Sequence, residues 1–280
     1  MSRFNNIIDN LIQWDRTSDK LYAAMIVGSQ AREDHHADEN SDLDIIMLVD
    51  DPDYFMVSDQ WIKYIGNPHV SFADGMICGG KERRVLFDGA LDVDFIFLPK
   101  NSIRNMFEDS LMADLLGRGY HILIDKIKLE YFLPQNHTAN QSCAMLSEQE
   151  FQNLTNDFWY HAVWAAKKLM RGEIWTAKYC VDTYMKSKLL RIIECHTHAA
   201  NGPEYDTWHS GRFIEEWAED WIIKKLCHCF SHYNKEDVKL ALLSTMDLFR
   251  LLAVEVAEKL QYDYPEESDE YTTNWVTTSL

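Results

Sequence analysis

The sequence contains no apolar run approaching the roughly 18–20 residues that a bilayer-spanning helix needs, which excludes a helical membrane protein. Positive charge is scarce: 27 Lys and Arg stand against 45 Asp and Glu, for a net charge of −18. A surface of that sign repels a phosphate backbone and argues against nucleic acid as a partner. It attracts cations, a polycationic small molecule included, although acidity by itself says as much about solubility as about function. An export signal is not expected either. The opening MSRFNNIIDNLIQWD carries charges and amides within its first turns and has no uninterrupted apolar core. A cytoplasmic location is therefore expected, and the six cysteines, Cys78, Cys143, Cys180, Cys195, Cys227 and Cys229, read as reduced thiols. CHTH (195–198) and CHCFSH (227–232) invite a zinc reading. Both fall in helical patterns, and on a helix Cys227 and Cys229 point about 200° apart, too far to close on one ion. Internal repeats and low-complexity tracts are lacking as well.

What is present is a foldable chain: 280 residues, 46% hydrophobic and 12% aromatic, enough for one large domain or two modest ones. Apolar periodicity predicts a helix over 4–16, with Phe4, Ile7, Ile8, Leu11 and Ile12 on one face. Strands are predicted near 21–27, 43–49, 84–87 and 91–98, the last two joined by the hairpin signal Asp88-Gly89. Helices fit 56–65 and 101–116. The polar stretch 133–151 reads as a linker. Helical patterns then follow at 148–171, 174–198, 211–232 and 235–262, as in a bundle. The expectation is an α+β chain: a first domain with a mixed sheet over 1–135, a helical bundle over 136–262, and an acidic, loosely held tail over 263–280. Trp159, Tyr160, Trp164, Trp175, Tyr179 and Trp208 crowd the bundle, as core filling or as surfaces on which a sugar or base stacks.

The chemistry concentrates around GSQAREDHHADENSDLD (28–44). Gly28-Ser29 ends the apolar run LYAAMIV, and Asp42 and Asp44 open the run LDIIMLV. On a strand Asp42, Asp44, Ile46 and Leu48 share a face, so two carboxylates project together. Their repulsion calls for a cation or a proton between them, and hard oxygen ligands suit Mg²⁺. Asp92 and Asp94 likewise share a face of GALDVDFIFLP, and a strand placed beside the first would complete a three-carboxylate cluster. Three aspartates holding two Mg²⁺ ions are equipment for phosphoryl or nucleotidyl transfer. A glycine at position 28 permits close backbone approach. If Ser29 opens a helix, its free N–H groups can hold phosphate oxygens.

The order GS, a twelve-residue gap, DLD and then VDF resembles the nucleotidyltransferase superfamily typified by DNA polymerase beta. SDLDIIMLVDD, DQWIKYIG and RVLFDGALDVDFIFLP resemble, more narrowly, the aminoglycoside 6-adenylyltransferase (streptomycin adenylyltransferase) family. AKYCVDTYMKSKLLRIIE and GRFIEEWAED extend the likeness, more loosely, to about residue 262. The resemblance implies a polymerase-beta-like domain followed by an acceptor-binding bundle. It implies transfer of AMP from Mg-ATP to a hydroxyl of an aminoglycoside such as streptomycin, with release of pyrophosphate and antibiotic resistance as the outcome. It places the third metal carboxylate on Asp94 rather than Asp92, so Asp42, Asp44 and Asp94 are the expected metal ligands. Asp182 becomes the residue that handles the acceptor hydroxyl, against the plain alternative of a helix-surface pair with Lys178 or Lys186. Gly28, Ser29, Arg32 and Lys178 are the candidates for ATP. Gln30 stands where the family commonly has arginine, and Arg32 is the nearest cation. The expected partners are ATP and a cationic aminoglycoside, with no nucleic acid and no membrane, in a monomer or weak dimer. Two alternatives stay open: transfer to a different small-molecule or protein acceptor, and a non-catalytic nucleotide-binding module.

Overall fold

A computed structural model of the chain describes residues 3–32, 35–75, 80–104, 110–133 and 145–280. The chain divides into two compact units, Met1–Gln141 and Ser142–Leu280. The architecture is α+β, with the strands in the first unit and a helical second unit.

In the first unit, helix α1 (Asn5–Ser18) precedes β1 (Leu21–Val27) and β2 (Leu43–Val49). Short helices α2 (Pro52–Val57) and α3 (Gln60–Ile65) lead to β3 (Pro68–Gly75), β4 (Lys81–Phe87) and β5 (Leu91–Pro99). Helix α4 (Ser110–Gly117) and β6 (His121–Asp125) complete the unit's regular elements. The six strands form one mixed sheet in the order β3-β4-β5-β2-β1-β6. Only the central β2–β5 pair is parallel; the other neighbours are antiparallel.

Both faces of the central strands are covered, so β1, β2 and β5 read as near-continuous apolar runs. Leu43, Ile45, Met47, Phe95 and Phe97 pack on one face against Leu11 and Trp14 of α1, Phe55 of α2 and Trp61 of α3. Met25, Ile46, Leu48, Ile96 and Leu98 pack on the other against Met112 and Leu116 of α4. Asp15 ties two elements together. It accepts from the Leu21 backbone N–H at 3.0 Å and pairs with Lys126 at 2.9 Å.

The expected helix 56–65 is two helices with a break at Ser58-Asp59. The break is held by Arg83, which pairs with the Asp59 carboxylate and donates to the Met56 carbonyl at 3.0 Å. The expected helix 101–116 shrinks to a 3-10 turn at Lys100–Arg104 and α4, with 105–109 outside the described residues.

The second unit contains α5 (Glu148–Met170), α6 (Ile174–Tyr179), α7 (Met185–Asn201), α8 (Ile214–Trp217), α9 (Asp220–Leu226), α10 (Lys235–Leu260) and α11 (Glu266–Ser279). A reciprocal cap between Ser147 and Glu150 starts α5. Its core centres on Phe158, Trp159 and Phe249, with the two phenylalanine rings stacked at 3.6 Å. The segment predicted as one helix over 174–198 is interrupted by a π-helical turn at Cys180–Tyr184. The pattern at 211–232 resolves into α8 and α9, so CHCFSH lies beyond the end of α9 rather than within a helix. The tail expected to be loosely held is instead α11. Thr272 and Val276 are buried, and Asp269 pairs with Arg250 of α10 at 2.6 Å. Glu266, Glu267 and Asp269 sit in its first turn, where the helix dipole favours acids.

Candidate active site

The twisted parallel pair β2–β5 creates the site. Asp44 lies directly opposite Asp94 in the register of the two strands, and Asp44 also faces Val27 at the end of β1. The apolar residues further along the same face, Ile46, Leu48, Ile96 and Leu98, are core. The carboxylates therefore form the polar end of an otherwise buried sheet face.

Asp42 joins them from the residue before β2. One carboxylate oxygen each of Asp42, Asp44 and Asp94 lies within 4.8 Å of the others, a spacing that suits a shared divalent cation. Among the described residues this is the one such group of three or more potential ligands. Asp92, the other acid of the strand, is exposed and stays outside the cluster.

Gly28 closes the cluster from the β1 side. Its φ of +68° is a left-handed conformation, and a Cβ there would stand 2.2 Å from Asp44 Oδ2. The glycine thus leaves the room that Asp44 occupies. Ser29 Oγ lies 3.4 Å from the Asp42 carbonyl oxygen and 3.5 Å from its Oδ1. Gly28–Gln30 form a single 3-10 turn rather than the expected helix start; the N–H groups of Ala31 and Arg32 both turn back onto the Gly28 carbonyl. Arg32 Nε donates to the His35 carbonyl at 2.8 Å.

The field at the cluster is strong. Burial pushes the Asp94 carboxyl up to about 7; the Arg84 guanidinium opposes the shift, while Glu82 and Asp42 add to it. Arg84 and Glu82 come from β4, whose register sets Arg84 opposite Asp94. The sequence reading missed both, because their nearness depends on hairpin register rather than on a local pattern. The donor set of three clustered carboxylates, packed against a glycine, fits hard divalent cations such as Mg²⁺.

The chain belongs to the streptomycin adenylyltransferase family. That family's model matches residues 1–279. The family is one of nucleotidyltransferases. The chain is 23% identical to an aminoglycoside 6-adenylyltransferase of Campylobacter jejuni, over 96% of this chain and 93% of that protein. It is 21% identical to an aminoglycoside 6-adenylyltransferase of Bacillus subtilis (strain 168), over 93% and 92%. A crystal structure of an aminoglycoside 6-adenyltransferase from Bacillus subtilis covers 97% of each chain, at 19% identity and a TM-score of 0.48.

The remaining candidates lie in the second unit. Asp182 sits on the π-helical turn, a kind of irregularity often found at functional positions. Its Oδ2 accepts from Lys178 and, at 3.1 Å, from Ser231 Oγ, while Oδ1 is shielded from solvent and has no hydrogen-bond partner. Lys178 is engaged by Asp182 and by the Ser231 carbonyl, so the plain helix pair of the sequence reading does exist. Lys186 is turned inward, donating to Thr245 Oγ1 at 2.8 Å and to the Val181 carbonyl at 3.0 Å. The aromatics divide: Trp159 is core, whereas Tyr160, Trp175 and Tyr179 are well exposed. No helix among the described residues is long and apolar enough to cross a membrane.

Proposed function

We propose that the protein transfers AMP from Mg-ATP to a hydroxyl group of a cationic aminoglycoside, streptomycin being the first acceptor to try, and so confers resistance. The observation that carries this reading is the convergence of Asp42, Asp44 and Asp94 beside Gly28. In this assignment those three carboxylates hold two Mg²⁺ ions, which when bound neutralise triphosphate charge and polarise the α-phosphate. Gly28 and Ser29 lie against the nucleotide phosphates, with Arg32 and Lys178 as further candidates for them. The acceptor oxygen forms a bond to the α-phosphorus, the bond from that phosphorus to the β-phosphate oxygen breaks, and pyrophosphate leaves with that electron pair.

Asp182 is assigned to the acceptor hydroxyl, whose proton it would take as the new bond forms. The assignment rests on the family resemblance, and the unpartnered Oδ1 is compatible with it. Trp175 and Tyr179 expose their rings on the helix leading to Asp182, surfaces suited to stacking on a sugar. The net charge of −18 favours a polycationic acceptor over an anionic one. A cytoplasmic enzyme would meet both substrates.

The test is pyrophosphate release from Mg-ATP with streptomycin, with other aminoglycosides and with no acceptor. Streptomycin-dependent release, with AMP located on the product by mass spectrometry, is the expected result. Release only with another acceptor would replace streptomycin, and none with any acceptor would overturn the reading.

A further inference from the structure

The cation nearest the carboxylate cluster has a geometry of its own. Arg84 stands on β4 opposite Asp94, with its Nε 2.9 Å from Glu82 Oε1 and 3.7 Å from Asp94 Oδ2. Glu82 is buried, whereas the Arg84 side chain is 45% exposed. All of its hydrogen bonding is through Nε; among the described residues the two terminal Nη groups make no hydrogen bond. The half-exposed guanidinium is thus held through Nε by a buried acid, with Asp74 of β3 acting on its charge as well, and its terminal N–H groups are left without a protein partner beside three carboxylates fit for divalent cations.

A planar fork of N–H donors matches two oxygens of a phosphate, and a charge-assisted bond of that kind is stronger than a neutral one. We propose that Arg84 binds the phosphates of the nucleotide, with Glu82 as the residue that positions it. This rests on the reading of the cluster as a metal–nucleotide site and adds to it a residue from a different strand.

The full-length protein is titrated with a fluorescent ATP analogue in Mg²⁺, with Mn²⁺ binding measured in parallel by electron paramagnetic resonance. Arg84→Met is expected to weaken nucleotide and inorganic pyrophosphate binding about tenfold or more, as loss of a charge-assisted contact does. Its Mn²⁺ affinity should hold or tighten, because a positive neighbour of the carboxylates is gone. Arg84→Lys keeps the charge without the fork and should show a smaller loss. Glu82→Gln frees the guanidinium and should weaken the nucleotide alongside, with melting temperatures confirming that all variants are folded. Nucleotide affinity unchanged in Arg84→Met or Arg84→Lys overturns the proposal and leaves Arg84 as a charge balance only. Wild-type protein that binds Mn²⁺ but no nucleotide overturns the metal–nucleotide reading together with this one.

Discussion

Gly28 and Asp44 are fitted to each other: a single methyl group on the glycine would stand 2.2 Å from the Asp44 carboxylate oxygen. Gly28→Ala must therefore displace a proposed metal ligand. It also places a side chain at φ +68°, which costs about 1–2 kcal/mol for an L-residue. The expected outcome is a loss of about a hundredfold in kcat, as for a misplaced catalytic group, together with weaker Mn²⁺ binding and a small drop in Tm. Wild-type turnover would show that Asp44 need not sit where it does.

Asp42→Asn and Asp44→Asn each remove a charge from the cluster. Transfer should fall by about a thousandfold or more, the scale set by loss of key electrostatic stabilisation. In chelator at pH 8, however, neither variant should melt below wild type, since one like charge fewer faces the remaining acids. Lost activity with raised or unchanged Tm separates chemistry from folding. Full activity in either variant removes it from the metal site.

Arg250 and Asp269 fasten α11 to α10 through two bonds, Nη2 to Oδ1 at 2.6 Å and Nε to Oδ2 at 2.7 Å, and the Tyr264 hydroxyl adds a third to Oδ2. Asp269→Ala removes two bonds from a partly buried guanidinium and leaves it with Asp247 and Thr273. It should cost about 2–3 kcal/mol, below the roughly 3–5 kcal/mol of a fully buried pair because Arg250 is not fully enclosed and keeps Asp247. Urea denaturation measures it. A cost under about 0.5 kcal/mol would match an ordinary surface change and mean that α11 is held by its apolar face alone.

Lys186 gives a pH signature. Burial lowers its ammonium from the ordinary 10.5 to about 8, with Asp182 and Cys229 opposing and Lys178 assisting. Above pH 8 the folded chain sheds this proton while the unfolded chain keeps it, so this contribution to stability rises with pH toward 10.5. Burial raises the thiols of Cys180 and Cys229, which act in the opposite sense above pH 9. Asp94 and the thiols titrate alike in wild type and in a Lys186 variant, so the difference between the two from pH 7.5 to 9 isolates the lysine. Lys186→Met should flatten the upward slope of unfolding free energy there. An unchanged slope would place Lys186 in water.

The parts of the fold legible in the sequence are those whose pattern is local. β1, β2 and β5 are dense apolar runs, and the acids at the start of β2 and within β5 declare their shared face by alternation alone. β3 was not legible because PHVSFADG is an edge strand with mostly exposed side chains, and β6 is a short edge strand of the same sheet. Helix α11 was hidden in TTNWVTTS, a weak helix former, and its anchor Arg250 lies far back in the chain. The break in 56–65 depends on Arg83 reaching Asp59 and the Met56 carbonyl. Arg84 and Glu82 were invisible for a related reason. A hairpin signal announces that β4 and β5 pair, but the register that sets Arg84 opposite Asp94 is read only from the folded sheet.

The parallel pairing of β2 with β5 has a consequence for how the protein comes to be active. Three hairpin-type contacts in the sheet join strands that are antiparallel neighbours, but β2 and β5 meet only after α2, α3, β3 and β4 have been threaded between them in sequence. Until that long-range closure occurs, Asp42 and Asp44 belong to one piece of chain and Asp94 to another, and the three-carboxylate cluster does not exist. Closure brings the acids together against their own repulsion, so a cation bound as proposed would act as a latch on the central seam of the sheet. Divalent ions are then expected to slow unfolding of the first unit while doing little for the helices of the second.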